Sequence, residues 1–370
     1  MNMNNFSSLL KNEEKAVFAL RSLYRKYGYL PYKMSKFEEY DLYVRNKDFL
    51  VSDSVITFND TNGKLLALKP DVTLSIVKNS FDETGCKQKL FYNENVYRIS
   101  GSTHTYKEIM QTGLECIGDI DIYDITEVLL LALESLDAVG DDFVLDISHM
   151  GVISSLLDSV SGNEEFKRRI AHCIGEKNRH GIKEICDEFG VDEQKANLLM
   201  SFVGIYGVPE TVIDKLKEVM GDIGANAAVE ELESIWSILS KTAYKDKINF
   251  DFSIVNDMNY YNGIVFTGFL AGIPESVLSG GQYDKLMRKM GKKSGAVGFA
   301  VYLDLLEYLQ KDGEAYDVDV LILYDESVDT SDLFEKVKEL TESEKSVSVQ
   351  KRIPEKLRYK QIIDLGRRDN

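Results

Sequence analysis

The chain has 370 residues, more than one ordinary core uses, so two or three domains are expected, each large enough to bury a stable interior. Its 61 acidic and 44 basic residues leave a net charge of −17, which argues against an extended grip on a nucleic-acid backbone, where many Lys and Arg must share one face. No basic leader follows Met1 and no apolar run approaches membrane-spanning length, so a cytoplasmic protein engaging neither membrane nor nucleic acid is expected.

In chain order, residues 12 to 27 set Ala16, Phe18, Leu20, Leu23 and Tyr24 among charged residues, which predicts an amphipathic helix ended by Gly28. Tyr29, Leu30 and Pro31 continue as an extended segment. Residues 55–58 and 65–68 are short apolar runs separated by N-D-T-N-G, a hairpin signal. In A-L-K-P-D-V-T-L-S-I-V-K, Pro70 breaks the strand, and Asp71 and Thr73 stand where they cap a helix beginning near Leu74.

Residues 89 to 118 read as strand, loop and strand. The first strand places Glu94, Val96 and Arg98 on one face; the second places Gln111, Gly113 and Glu115 on one face and Met110, Thr112, Leu114 and Cys116 on the other. An amide and a carboxylate flanking a bare backbone position make room for a small polar molecule. A solvent-facing strand is the other reading, with Gln and Glu simply wet, though it leaves Gly113 unexplained.

Asp124 or Thr126 starts a helix running to Val139, with Glu127 available for a capping box, and F-V-L-D-I-S-H is a strand. Residues 151–242 read as almost wholly helical, an inserted domain broken at 204–209 and near 221–225. The cysteines (Cys86, Cys116, Cys173, Cys186) form no C-x-x-C pair, which points to a reducing compartment without a disulfide framework. His172, Cys173, His180 and Cys186 fall close together, yet their spacings match no zinc pattern, so neither metal nor cofactor is expected.

Residues 248–306 concentrate glycines, tyrosines and small polar side chains. Ile248, Phe250, Phe252 and Ile254 alternate with Asn249, Asp251 and Ser253, the period of a half-buried antiparallel strand. A turn at Asn256 and Asp257 leads to a return strand with Tyr261, Gly263, Val265 and Thr267 on one face, a phenol beside a bare position where a small ligand can approach. Gly280 and Gly281 make the same allowance a strand later. Beyond Tyr316, V-D-V-L-I-L-Y is a strand, 333–340 a helix and 346–350 a strand, one βαβ unit; 357–365 reads as helix.

In this order the pieces resemble the histidyl-tRNA synthetase family of class II cores, over about residues 10 to 310, with a fragmentary likeness to its anticodon-binding domain beyond. L-K-P-D-V-T is similar to the family's L-R-P-E-x-T, and V-Y-R-I-S with Q-T-G-L-E to its F-R-x-E with Q-x-G-x-E. M-N-Y-Y-N-G-I-V-F is similar to L-D-Y-Y-x-G-x-V-F, and G-G-Q-Y-D to G-G-R-Y-D. The resemblance implies an α+β fold, a class II aminoacyl-tRNA synthetase-like antiparallel sheet flanked by helices. The core would span 1–150 and 246–312, with a helical insertion at 151–245 and a truncated α/β domain at 313–370. It also implies a pocket for free histidine. Asp71, shorter than the family's Glu, and Thr73 would take the α-amino group, and Gln111 would sit by the amino and carboxylate end. Glu115 and the Tyr261 hydroxyl would hold the imidazole nitrogens, with Arg98, Tyr260 and Tyr283 lining the rest.

The departures redirect the function. The family's catalytic arginine falls on Asn256 and the arginine of the third class II motif on Leu305, and ATP chemistry leans on such fixed charges. Ser100 stands for a Glu in the second motif, and Ser35 for the proline of the first. A chain with histidine contacts and no ATP clamp resembles the ATP phosphoribosyltransferase regulatory subunits, a synthetase-derived family. That likeness implies a non-catalytic subunit, a homodimer of the core joined to the short-form catalytic subunit of the first step of histidine synthesis, with L-histidine as feedback effector. The alternative is a histidyl-tRNA synthetase or a fragment of one, an enzyme.

Overall fold

Helix α1 (Asn12–Lys26) buries Ala16, Val17, Leu20 and Tyr24 as one stripe at helical spacing and gives way at Gly28, where φ is +82°. It opens a computed structural model that describes residues 10–50, 55–83, 85–99, 105–220, 226–255, 260–309 and 316–366. The chain forms two compact units, Met1–Leu309 and Gln310–Asn370. Among the described residues no helix is long and apolar enough to cross a membrane.

After α1 come β1 (Leu30–Pro31), β2 (Phe37–Glu39), α2 (Tyr40–Arg45), β3 (Thr57–Asn59), β4 (Leu65–Leu68) and α3 (Thr73–Asn79). The hairpin of β5 (Lys87–Ile99) and β6 (Tyr106–Gly118) follows, then α4 (Ile122–Val139) and β7 (Phe143–His149). The helical stretch holds α5 (Met150–Val160), α6 (Glu164–Gly175), α7 (Arg179–Glu188), α8 (Glu193–Phe202), β8 (Tyr206–Gly207), α9 (Pro209–Met220) and α10 (Asn226–Leu239). The first unit closes with β9 (Ile248–Asp251), β10 (Ile264–Leu270), β11 (Leu278–Gln282), α11 (Asp284–Lys289) and β12 (Gly295–Tyr302).

One nine-stranded sheet, in the order β1-β5-β6-β12-β11-β10-β7-β9-β8, carries the unit, while β2, β4 and β3 make a small sheet of their own. Among the described residues of the nine-stranded sheet, only the β1–β5 and β7–β9 pairs are parallel, so the architecture is the expected α+β class. Both faces of the large sheet are covered. Phe91, Leu114 and Phe299 enter the larger core with α1 and α4, and Leu90, Tyr92 and Val96 enter a second core with α3 and α11. Burial on both sides explains why β5 lacks a clean polar alternation in sequence.

In the first unit, several local expectations are corrected. β9 is parallel to β7 and separated by it from β10, so residues 248–254 and 261–267 are not a strand and its return; β9 ends at Asp251, and the turn expected at Asn256 and Asp257 lies outside the described residues. The break expected at 204–209 is present and holds β8, which extends the sheet by pairing with β9; the break at 221–225 lies outside the described residues. Helix α4 starts at Ile122, because Asp121 accepts the Tyr123 and Asp124 N–H groups while the Asp124 carboxylate returns to the Asp121 N–H. Glu127 instead accepts from Lys89.

In the second unit β13 (Val318–Leu323), α12 (Thr330–Glu342) and β14 (Val347–Gln350) form the expected βαβ unit. The segment read as a final helix is β15 (Tyr359–Asp364), parallel to β13 on its other side. The open edge of β13 takes up Ile362 and Ile363, β-branched residues that suit a strand.

Candidate functional site

The sheet register builds a floor. One cross-strand row runs Leu90, Glu115, Gly298, Gly281, Val265, Ser148; the next runs Tyr92, Gly113, Ala300, Ser279, Thr267, Asp146. Gln111 begins a third beside Glu94 and Tyr302. Above these rows lies a cavity of about 440 Å³, which Gln111 and Glu115 line while only 4% and 2% exposed. The solvent-facing reading of β6 is thereby excluded.

The glycines do more specific work than leaving empty room. A side chain at Gly113 would collide with the Phe299 carbonyl, 2.2 Å from the position a Cβ would take, and with the Tyr92 phenol, whose oxygen lies 2.6 Å from it. At Gly298 it would strike the Glu115 carboxylate, and at Gly281 the Tyr261 ring, 2.6 Å away. Each bare position lets a functional side chain lie flat on the sheet. Gly263, expected to admit a ligand, is instead covered by Gln282.

The cavity's side wall is the segment before α3. Lys69, fully buried, pairs with Glu94 at 2.8 Å; the Tyr97 N–H donates to the Lys69 carbonyl and Arg98 Nε to the Pro70 carbonyl. These ties press the segment onto β5 and leave Asp71, Thr73 and Arg98 on the cavity. Asp71 accepts the Leu74 N–H at 3.0 Å, as capping requires, whereas the Thr73 hydroxyl donates to Glu115 at 3.0 Å. Burial raises the Asp71 carboxyl above its ordinary value, against the Leu74 N–H and the Arg98 charge.

Three phenols close the opposite side. Tyr260 and Tyr261 meet edge to face at 4.6 Å, and Tyr260 lies 6.0 Å from Tyr283. The Tyr283 hydroxyl donates to Glu115 at 2.6 Å. Burial pushes the Glu115 carboxyl from 4.5 up to about 8, although the Tyr283 and Thr73 hydrogen bonds pull it down. Among the described residues no cation pairs with it.

Asp71, Thr73, Arg98 and Gln111 thus share one cavity with Glu115, Tyr260, Tyr261 and Tyr283. Thr267, expected on the ligand-facing side of its strand, lines it too, while sequence reasoning missed Phe49, Tyr92, Ser279 and Tyr302. Tyr92 was reachable, since it falls on the face of Glu94 and Val96, two residues before Glu94. Ser279 and Tyr302, 2.7 Å apart, come together only through the β11–β12 register, and Phe49 sits on a short turn without periodicity. Asn256 and Ser100 lie outside the described residues. Leu305 lines a neighbouring cleft with Arg98, Lys107 and Tyr302, and its own apolar chain offers a phosphate no charge. Ser35 is exposed, its hydroxyl accepting the Phe37 N–H. His172 faces Glu176, the residue that ends its helix, and His180 faces Glu184 on its own helix.

The sequence pattern of the histidyl-tRNA synthetase family matches residues 8–306. An ATP phosphoribosyltransferase regulatory subunit of Caldanaerobacter subterraneus subsp. tengcongensis is 31% identical over 289 residues, 77% of this chain and 75% of that one. Two solved structures share the fold. An ATP phosphoribosyltransferase regulatory subunit/histidyl-tRNA synthetase from Bacillus halodurans C superposes with a TM-score of 0.75 at 23% identity, over 97% of this chain and 95% of that chain. The ATP phosphoribosyl transferase (HisG:HisZ) complex from Thermotoga maritima gives a TM-score of 0.62 at 21% identity, over 79% and 97%. By sequence match and fold, the chain belongs to the histidyl-tRNA synthetase-like family, among the non-catalytic ATP phosphoribosyltransferase regulatory subunits of histidine biosynthesis.

Proposed function

We propose that the cavity holds free L-histidine as a feedback effector, and that this cytoplasmic chain, as a homodimer of its core, assembles with a short-form ATP phosphoribosyltransferase catalytic subunit whose activity it supports. The observation that carries the ligand is Glu115, a buried acid between Thr73 and Tyr283 that lacks a cation partner among the described residues. An imidazole nitrogen supplies the missing donor, and Tyr261 offers a phenol to the other ring nitrogen. Asp71 suits an α-amino group and Arg98 a carboxylate. The related complex from Thermotoga maritima supports the choice of partner. For feedback, histidine must favour the inhibited arrangement of the assembly over the active one, whatever its absolute affinity.

The test is a calorimetric titration of the full chain with L-histidine, followed by transferase assays of the reconstituted complex with and without it. Saturable heat, lost in Glu115→Ala, and inhibition that requires this chain are expected. A flat titration overturns the effector role, and a catalytic subunit indifferent to this chain overturns the partnership.

A further inference from the structure

Asp284 stands where three segments of the cavity wall meet, and none of the roles above uses it. Its Oδ2 accepts from Asn262 Nδ2 at 3.0 Å and from Gln282 Nε2 at 2.9 Å, and its Oδ1 accepts the Ala296 N–H at 3.0 Å. Helix capping does not account for this carboxylate. Asp284 is the first residue of α11, Tyr283 is the N-cap, and all three donors lie outside the helix.

Each donor belongs to a piece of the site. Asn262 directly follows Tyr260 and Tyr261, and its own N–H donates to the Gln282 carbonyl at 3.1 Å. Gln282 precedes Tyr283, whose N–H donates to the Ala296 carbonyl at 2.9 Å. Ala296 lies two residues before Gly298, on which the Glu115 carboxylate rests. One carboxylate therefore ties the loop of Tyr260 and Tyr261, the end of β11 with Tyr283, and the start of β12. The bonds are specific to an acid, because an amide of the same shape has one acceptor oxygen and turns an NH₂ toward donors.

We propose that Asp284 is a positioning residue of the cavity, fixing where the Tyr261 and Tyr283 hydroxyls stand without touching the ligand. The role is separable from the histidine reading, because the Tyr283–Glu115 bond lies within the chain itself and holds Glu115 below the value burial alone would set.

The test follows the Glu115 titration by carbon NMR in ligand-free, glutamate-labelled full-length chain, for wild type, Asp284→Asn, Tyr283→Phe and the double variant. Asp284→Asn is expected to raise the Glu115 midpoint by about half a pH unit or more, and to add nothing in the Tyr283→Phe background. An unmoved midpoint, or equal shifts in both backgrounds, overturns the proposal. The affinity for L-histidine is expected to fall about tenfold in Asp284→Asn at an unchanged thermal midpoint, as for one misplaced hydrogen-bonding pair. Undiminished affinity also overturns it. Absence of histidine binding in the wild type would remove the effector reading alone, the titration standing independently. Should Asp284→Asn not fold, Asn262→Ala, which removes one of the three donors, carries the same readouts with smaller shifts in the same directions.

Discussion

At neutral pH burial favours the protonated form of Glu115, because the cost of burying a charge outweighs the two hydroxyl donors. Between 4.5 and about 8 the folded chain therefore binds a proton that the unfolded chain has released, so this residue's contribution to stability falls as pH rises through that window and levels above it. A cationic group brought to Glu115 reverses the preference and expels the proton. Titrated with L-histidine at pH 7, the chain is expected to show a binding enthalpy that changes with the ionisation enthalpy of the buffer, a dependence that disappears in Glu115→Gln. A buffer-independent enthalpy in the wild type would show that no proton leaves the complex, so that Glu115 either keeps its proton or passes it to the imidazole ring. The position of Glu115 was legible in the sequence, since a period of two puts it on one face with Gln111. Its company was not. Thr73 and Tyr283 are 42 and 168 residues away along the chain, and no local pattern pairs them with it.

Strands β5 and β6 were readable as elements because both are long and carry their own alternation. What holds the neighbouring wall to them was not. The Lys69–Glu94 pair is an ion pair sealed by tertiary packing, with Lys69 wholly out of solvent. Removing one partner leaves a charge buried without compensation, so Lys69→Met is expected to cost about 3 kcal/mol or more in urea unfolding. Lys69→Met with Glu94→Leu should recover most of that loss. A single variant as stable as wild type would mean that Glu94 finds water on its own. Pairing direction was equally hidden. The alternation of residues 248–254 announces a strand, but β7, its parallel neighbour, lies on the far side of the whole helical stretch. The short stretch at β15 contains too few turns' worth of residues for a helical period to be distinguished from a strand, and the free edge of β13 decided it.

At the scale of the molecule, all the cavity residues named above belong to the unit Met1–Leu309, and the unit Gln310–Asn370 has its own small core around Val320, Ile322 and Leu340. A chain ended after Leu309 is expected to bind L-histidine within about twofold of the full chain, as for independent parts. A soluble, folded truncation that no longer binds would show that the second unit shapes the site. The ordered motifs carried the fold because they sit on strands whose register is set by burial. The site's inner surface needed the structure, since it arises from side chains laid over glycines of adjacent strands. Over Gly298 the space belongs to Glu115, and over Gly281 to Tyr261. Bulk at either position is therefore barred twice: a Cβ at 298 meets the Glu115 carboxylate and, 2.4 Å away, the Leu114 carbonyl, and one at 281 meets the Tyr261 ring and, 2.7 Å away, the Ile264 carbonyl. Trimming the acid or the phenol alone opens no room for a larger residue there, so both hollows stay bare whichever side chain lies over them.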